Sequence, residues 1–221
     1  MAESRIIKRN VRFWGKSGLQ LTGMMLIFMV VYGFLFNMGS SRVFGDFWKT
    51  AYFYGGIISV LFAMIGPVSY VGSYLPLTLS FGSGRREAVF GAQIFCVVYV
   101  VSAYILVFAG IMSSGKFNGK LNALIAVLFI FMTAIGQLVS VAQMHFGMKG
   151  MIIGIVMVVL GIVIGIVAGI GFIDQIMAWI NRIQTNVVWT LLAIAAIVSI
   201  ALYAVSVMAL FREMRHYEVK A

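Results

Sequence analysis

Apolar residues dominate six stretches of the chain, and shorter polar or basic connections separate them. Each stretch holds roughly 20 residues, the length that an α-helix needs to cross a hydrocarbon core about 30 Å thick. The pattern therefore predicts six membrane-spanning helices, at residues 19–37, 48–70, 88–112, 121–144, 151–172 and 187–211. The fold class that follows is an all-α integral membrane bundle of six spans.

Composition supports this fold class. Of the 221 residues, 62% are apolar and 10% are charged, and the mean hydropathy is +1.06. A soluble fold has too little interior to bury so much apolar surface. We therefore interpret residues 1–221 as one transmembrane domain, too short to include a second catalytic domain of ordinary size.

The basic residues predict the orientation of the spans. The net charge is +10, and 11 of the 16 lysines and arginines lie in the N-terminal segment, the C-terminal tail and the connections after the second and fourth spans. The other five lie on the opposite side. Because cytoplasmic connections are enriched in Lys and Arg, both termini are predicted to be cytoplasmic, in the cell membrane and most simply a bacterial inner membrane. Membrane topology thus accounts for the charge, and no nucleic acid partner is expected.

A signal peptide is the alternative interpretation of the first stretch. The small residues Gly39, Ser40 and Ser41 follow it, as they would at a cleavage site. The stretch is longer than a usual signal core and lacks a clear small-x-small site, which favours a membrane span.

Two segments have the amphipathic pattern of helices that lie along a membrane surface. Residues 1–18 interleave apolar and basic positions, which suits an interface helix on anionic lipid at the cytoplasmic side. Residues 173–186 repeat apolar residues at steps of three and four, which predicts a short outer amphipathic helix before the last span. The alternative for both is an ordinary connecting helix that anchors the bundle.

The cytoplasmic connection at residues 74–87 is too apolar for a simple solvated loop. Pro76 is suited to open a short helix, and the glycines that follow are suited to end it. Leu77 and Phe81 would then share one face, because they are four residues apart. The connection is therefore predicted to contain a short helix with an apolar face and a basic edge.

Two interpretations of this helix are open on residue chemistry alone. A short helix with an apolar knob and a basic edge suits insertion into a groove on a partner protein and transmission of its movement. Alternatively, Leu77, Leu79 and Phe81 fold back against the ends of the spans, and Arg85 and Arg86 serve only the positive-inside bias.

The connection resembles that of a known family. Its apolar-Pro-apolar start, the run Leu79-Ser80-Phe81-Gly82 and the pair Arg85-Arg86 are similar to the cytoplasmic loop of permease subunits of type-two ATP-binding-cassette (ABC) exporters. The layout of six spans, a basic entry helix and a short outer helix before the last span is similar as well. As a layout the resemblance covers nearly the whole chain, and as a motif it covers about a dozen residues.

The resemblance implies that residues 1–221 are one permease domain that exports a substrate with ATP hydrolysed elsewhere. The implied partners are an ABC ATPase subunit that holds ATP and magnesium, a second permease copy, identical or a close paralogue, and membrane lipid. Leu77, Phe81, Arg85 and Arg86 would then lie in the segment that contacts the ATPase. Larger family members have outer domains that this chain lacks, which weakens any expectation of bulky polymer cargo.

The fifth predicted span contains Gly161, Gly165 and Gly169 at steps of four residues. Glycines on one helix face let backbones approach closely, which is how spans associate in lipid. They predict either the seam between two copies of the chain or a helix contact within one copy.

Few polar residues lie inside the spans, and four of them are candidates for a substrate path: Gln93, Gln137, Ser140 and Gln143. A polar group in lipid must find a partner, so these side chains either line such a path or bond a neighbouring helix. No Asp or Glu lies in mid-span, which argues against proton- or sodium-coupled transport. The nearly uncharged spans favour a hydrophobic or amphipathic cargo, such as a peptide or a drug-like molecule.

Residues for catalysis are not evident in the sequence. The chain has no GxxxxGK[ST] phosphate loop, His145 has no acidic residue nearby in sequence, and Cys96 is the single cysteine. We therefore expect no enzymatic activity, and no cofactor or metal bound by this chain.

Two alternatives to an exporter are open: a substrate-binding membrane subunit of a vitamin importer, whose pocket should be more polar, and a membrane scaffold or immunity protein that needs no ATPase.

Overall fold

A computed structural model of the chain describes residues 2–37, 43–80, 84–113, 119–147, 185–216 and scattered positions between 149 and 163. Within these ranges the chain is helical, and no β-strand is found there. The elements are α1 (Ala2–Asn37), α2 (Val43–Gly66), a π-helical turn (Pro67–Val71), α3 (Gly72–Ser80), α4 (Arg85–Ser113), α5 (Gly119–Phe146) and α6 (Thr185–His216). The predicted all-α class is confirmed for these residues.

Five helical stretches in the described part are long and apolar enough to cross a membrane: Val11–Leu35, Gly55–Leu75, Arg85–Met112, Gly119–Phe146 and Thr185–Arg215. Each overlaps a predicted span, so the chain is a multi-pass membrane protein. The remaining predicted span, at residues 151–172, and the outer helix at residues 173–186 lie largely outside the described residues. The described positions between 152 and 163 are helical.

The N-terminal segment and the first span form one helix rather than two. α1 is a single helix of 36 residues, so the interface helix predicted at residues 1–18 is not a separate element. The reason is packing: Trp14 is fully buried, and its ring centroid lies 6.1 Å from that of Phe95 on α4. At Gly18, one turn further along, a Cβ would come within 2.9 Å of the Phe95 carbonyl oxygen. α1 therefore stays against α4 across the predicted boundary.

The basic side chains described in this segment are exposed, namely Lys8, Arg9, Arg12 and Lys16. α1 thus keeps the amphipathic character that the sequence predicts, since Trp14 faces the bundle and the charges face outward.

A π-helical turn continues the second span beyond α2. Pro67 begins this turn, and it has no N–H to donate to the preceding turn. The Pro67 carbonyl accepts the Gly72 N–H in the wider π pattern, and it also accepts the Ser140 hydroxyl at 2.7 Å. α3 follows without a break and contains Pro76 in its interior. The prediction that Pro76 opens a short helix is therefore wrong, because the π turn carries the helix on and α3 already begins at Gly72.

The described helices pack together unevenly. α1 packs chiefly against α2 and α4, and α5 packs chiefly against α2 and α6. α2 also packs against α4, whereas α4 touches α5 and α6 far less, so the α4–α6 junction is a loose one. Large buried side chains form the core of the bundle, including Trp14, Leu75, Phe95, Tyr99 and Phe129.

α5 approaches the second span at a glycine. At Gly136 an added Cβ would collide with the backbone carbonyl of Met64 on α2. One turn later Ser140 bonds the Pro67 carbonyl, so consecutive turns of α5 lie against the backbone of the second span. Spans in lipid are stabilised by such close packing, because no hydrophobic effect drives them together there.

We expect Gly136→Ala to destabilise the bundle, because the new methyl group must push α5 away from α2. Overpacking of this kind costs about 1–3 kcal/mol. Unfolding of the purified protein in a denaturing-detergent titration measures the loss. Gly23→Ala is the matched control, since no atom lies within 4 Å of a Cβ built at Gly23. Equal stability of the two variants would contradict the close approach of α5 to α2.

Candidate functional site

A buried polar network joins α4, α5 and α6 inside the membrane-spanning region. Its centre is Gln137 on α5, whose side chain is fully buried. The Gln137 Nε2 donates to the Gln93 Oε1 at 3.0 Å and to the Cys96 Sγ at 3.3 Å, both on α4. The Gln137 Oε1 accepts a hydrogen bond from the Ser206 hydroxyl on α6 at 2.8 Å. One side chain thus links three helices.

Tyr203 adds a second link between α6 and α4. Its hydroxyl donates to the Gln93 Oε1 at 2.6 Å, so this oxygen accepts two hydrogen bonds. The other amide atom of Gln93, Nε2, is buried and has no hydrogen-bond partner among the described residues. The network therefore contains an unsatisfied donor, and such a donor is costly away from water.

Helical spacing explains why these side chains meet. Gln93 and Cys96 are three residues apart on α4, and Tyr203 and Ser206 are three residues apart on α6. Residues at this spacing lie on one helix face, so each pair faces Gln137 as a unit. The sequence predictions miss Cys96, Tyr203 and Ser206. Their three-residue spacing is the signal that points to them once the three helices are known to be neighbours.

A cavity of about 270 Å³ lies in the gap between α4 and α6, and we call it the α4–α6 cavity. Its wall is formed by α4, α5 and α6 through Cys96, Val97, Val100, Val101, Ile130, Thr133, Ile200 and Tyr203. Cys96 and Tyr203 belong both to this wall and to the polar network, so the cavity adjoins the network. None of these wall residues is charged.

The α4–α6 cavity opens at the outer surface of the bundle. Val97 and Val101 on α4 and Ile200 on α6 line it, and each of these side chains is more than half exposed, at 53%, 51% and 57%. Apolar side chains with this exposure in a membrane-spanning helix face lipid. Within the described part of the chain, the cavity is therefore open on the lipid-facing side of the bundle.

The four polar residues that the sequence predicts for a substrate path lie in different surroundings. Gln93 and Gln137 meet in the network. Ser140 instead joins α5 to the second span through its bond to the Pro67 carbonyl. Gln143 lies further along α5, and its Oε1 is buried with no hydrogen-bond partner in the part of the chain that is described. Contact of any of the four with a substrate stays a prediction.

The start of α4 is tied to the end of α6. The Arg85 Nη1 donates to the backbone carbonyl of Arg215 at 2.6 Å. The Glu87 carboxylate accepts the Gly84 N–H at 3.3 Å, which is the bond that a glutamate makes from the third position of a helix to its capping residue. The first turn of α4 is thus fixed both to its own cap and to α6.

A second link joins the same end of α6 to α5. The His145 Nδ1 lies 3.1 Å from each carboxylate oxygen of Glu213. Glu213 is far from His145 in the chain, so this pair arises only because α5 packs against α6. The end of α6 is therefore bound to both α4 and α5.

The other predicted coupling residues are partly described. Arg86 is exposed, whereas Phe81 and the side chain of Leu77 lie outside the described residues. Leu79 is partly buried against the core of the bundle, next to the fully buried Leu75. For Leu79 this favours the alternative in which the connection folds back on the spans. Contact of the other residues with an ATPase stays a prediction.

The glycines predicted for helix packing, Gly161, Gly165 and Gly169, also lie outside the described residues. Gly154, a described position of the same predicted span, lies against α5, where a Cβ would come within 3.1 Å of the Val139 side chain. A contact within one copy is therefore found at Gly154, and a seam between two copies stays a prediction.

Comparison with known proteins provides no relative whose function could be transferred. The chain matches no protein-family model, no curated protein and no solved structure. Across the described ranges, no group of three His, Cys, Asp or Glu side chains is placed to hold a metal ion. The α4–α6 cavity, its uncharged network and the Arg85 bond are thus the structural features that bear on function.

We expect Gln137→Met to loosen the packing of α4, α5 and α6, because it removes three hydrogen bonds and keeps a similar side-chain shape. Interhelical hydrogen bonds in membranes average about 0.6 kcal/mol each, so the free energy of unfolding should fall by about 2 kcal/mol. Reversible unfolding in mixed micelles measures this change.

Gln143→Met is the matched control for this experiment. The Gln143 Oε1 forms no hydrogen bond within the described part of the chain, so its replacement should cost little stability. A loss for Gln143→Met that equals or exceeds the loss for Gln137→Met would argue against the network.

Proposed function

We propose that this chain is the permease subunit of an ABC exporter. It moves a hydrophobic or amphipathic substrate, peptide or drug-like, out of the cell. A separate ATPase subunit binds ATP and magnesium and supplies the energy. The proposal is supported by the resemblance of residues 79–86 to the cytoplasmic loop of that family, and by a cavity whose two side walls are joined next to this loop.

The Arg85 bond is the observation that carries the proposal. α4 and α6 form the two sides of the α4–α6 cavity, and the loop that would contact an ATPase leads directly into α4. Because Arg85 holds the carbonyl of Arg215, a displacement of this loop is transmitted to α6 as well as to α4. A motor bound at the loop could therefore change the width of the cavity.

The chemistry of the cavity supports the proposed cargo. Its wall is apolar and its adjoining network consists of two amides, a thiol and two hydroxyl groups, all uncharged. A cargo with a fixed charge would lose its hydration there without gaining a counter-charge. A hydrophobic or weakly polar molecule would lose far less.

The assembly and orientation in this proposal follow the sequence. Both termini face the cytoplasm of the cell, because most Lys and Arg lie on that side. Two permease copies pair in the membrane, with Gly161, Gly165 and Gly169 in the seam between them.

We expect Phe81→Asp to release the partner ATPase, because a charge replaces the apolar side chain that would insert into the ATPase groove. Loss of one such anchor costs at least about 2 kcal/mol, so the amount of ATPase that co-purifies should fall by at least about tenfold. The measurement is quantitative co-purification from membranes, together with ATPase activity of the reconstituted complex.

Phe117→Asp is the matched control, since it places the same charge in the connection between α4 and α5, at the other end of α4. This variant should retain the ATPase. If an ATPase binds equally to both variants and turns over at the same rate, the coupling role predicted for residues 81–84, which connect α3 to α4, is wrong. If no ATPase co-purifies with the natural chain, the exporter proposal itself fails.

We also expect the connection before α4 to face the cytoplasm and the connection after α4 to face outward. Cys96→Ser provides a background without cysteine, into which Ser83→Cys or Ser114→Cys is introduced. A membrane-impermeant maleimide should label Ser114→Cys in intact cells or spheroplasts and should label Ser83→Cys only after permeabilisation. The reverse pattern would invert the topology and exclude an ATPase at residues 81–84.

A further inference from the structure

The first turns of α1 carry four basic side chains on one side of the helix. Lys8, Arg12 and Lys16 follow one another at steps of four residues, and Arg9 lies beside them. At 3.6 residues per turn, the four fall within about 100° of the helix circumference. Trp14 lies on the opposite side and is fully buried against α4. These four residues, which we call the α1 basic stripe, therefore face away from the bundle.

The α1 basic stripe has no counter-charge within the described part of the chain. All four side chains are exposed, and none of them forms an ion pair or a side-chain hydrogen bond with another described residue. Like charges four residues apart on a helix repel one another, and an anion placed between them removes this repulsion. The stripe is thus complementary in charge to an anionic group.

An exposed apolar track continues the stripe toward the middle of the span. It consists of Leu19, Gly23, Ile27 and Val30, which follow Lys16 at steps of three and four residues. The three side chains are 58%, 65% and 41% exposed, and no atom lies within 4 Å of a Cβ built at Gly23. Gly23 thus leaves a shallow notch in a lipid-facing surface. At 1.5 Å per residue the track is about 16 Å long, close to one leaflet of a hydrocarbon core about 30 Å thick.

The continuity of α1 sets the stripe at the depth of lipid phosphates. Because Ala2–Asn37 is one helix, no break separates the stripe from the track. Along the helix axis, Lys16 lies about 5 Å and Arg12 about 10 Å before Leu19. The polar headgroup region of each leaflet is about 5–8 Å thick, so a phosphate in it lies within reach of both long side chains. The headgroup and an acyl chain of one lipid thus have contact surfaces in line on one helix.

We propose that the α1 basic stripe and the apolar track form a binding site for one anionic phospholipid. Arg12 and Lys16 hold its phosphate by charge-assisted hydrogen bonds, and one acyl chain lies along the track. Lys8 and Arg9 add positive potential on the water side of the phosphate. The pattern of residues 1–18 indicates only a general attraction of a surface helix to anionic lipid, whereas this site is selective and holds one molecule. Its binding requires no ATPase, so it does not rest on the proposed export function.

The test compares two phospholipids with identical acyl chains. Dioleoylphosphatidylglycerol has a net negative charge, and dioleoylphosphatidylcholine has none. Each is titrated into the full chain in a neutral detergent, without any ATPase, and native mass spectrometry counts the lipids bound. We expect the first phosphatidylglycerol to bind at least about tenfold more tightly than phosphatidylcholine, because each Lys or Arg at an anionic surface strengthens binding and two of them contact the phosphate here.

A soluble competitor separates a lipid site from a site for a free phosphate ester. Glycerophosphoglycerol has the headgroup of phosphatidylglycerol without its acyl chains. At a concentration equal to that of the lipid it should displace no phosphatidylglycerol, because it makes no contact with the apolar track.

Two double variants locate the site. Arg12→Gln with Lys16→Gln removes both phosphate contacts and should lower the affinity for phosphatidylglycerol at least about tenfold, to near that for phosphatidylcholine. Lys149→Gln with Arg212→Gln is the matched control, since it removes one Lys and one Arg that are also exposed but lie outside α1, so binding should persist. Gln has a helix propensity close to that of Lys and Arg, so both variants should fold.

Each of three results would overturn the inference: equal affinity for the two lipids, displacement by glycerophosphoglycerol at equal concentration, or an equal loss of affinity in the two double variants. The first would remove the charge selectivity, and the second would leave a site for a free phosphate ester. The third would leave only a general attraction to a positively charged protein. The lipid pair and the competitor decide the matter even if a variant does not fold. Because the assay contains no ATPase, its result and that of the Phe81 experiment do not depend on each other.

Discussion

An amide side chain in the interior of a membrane has no water to satisfy it, so it must find its partners on neighbouring helices. Gln137 meets this constraint by bonding Gln93 and Cys96 on α4 and Ser206 on α6. These three bonds use most of its capacity, and they fix α5 between two helices that otherwise touch little. The cavity lies between α4 and α6, which are joined through this bridge and through the direct bond from Tyr203 to Gln93.

Close packing holds some helices of the bundle together, and polar bonds hold others together. On one side, small residues bring backbones together: Gly18 lies against the Phe95 carbonyl, and Gly136 lies against the Met64 carbonyl. On the other side, α4 and α6 are joined by polar groups, with the network in the interior and the Arg85 bond at the helix ends. Dispersion contacts are lost with small increases in distance, whereas long polar side chains can bond across a gap between two helices. The loose junction is therefore where a ligand could enter with the least disturbance of the packing.

The first turn of α4 and the last turns of α6 link the cavity to the connection before α4. Arg85 and Glu87 fix the first turn of α4, and Arg215 and Glu213 fix the last turns of α6 to α4 and α5. The helices that form the side walls of the cavity are thus joined by polar bonds at this end of the bundle. In an exporter, these bonds would let one mechanical input act on both walls, and in an isolated chain the same bonds would simply hold the helices together at that end.

The sequence alone determined that this is a helical, multi-pass membrane protein, because the length and apolarity of a span are properties of contiguous residues. It also pointed to Gln93 and Gln137 as polar groups in need of partners, since any amide in a span has that need. Which partners they have was decided only by the tertiary structure, because Cys96, Tyr203 and Ser206 become neighbours of Gln137 only when α4 and α6 flank α5. The local sequence pattern predicted two helix boundaries wrongly, at residue 18 and at Pro76. At the first, burial of Trp14 keeps α1 continuous. At the second, the π-helical turn carries the second span on into α3. Packing between distant segments overrides local signals in such places, because its energy depends on neighbours that a single sequence does not identify.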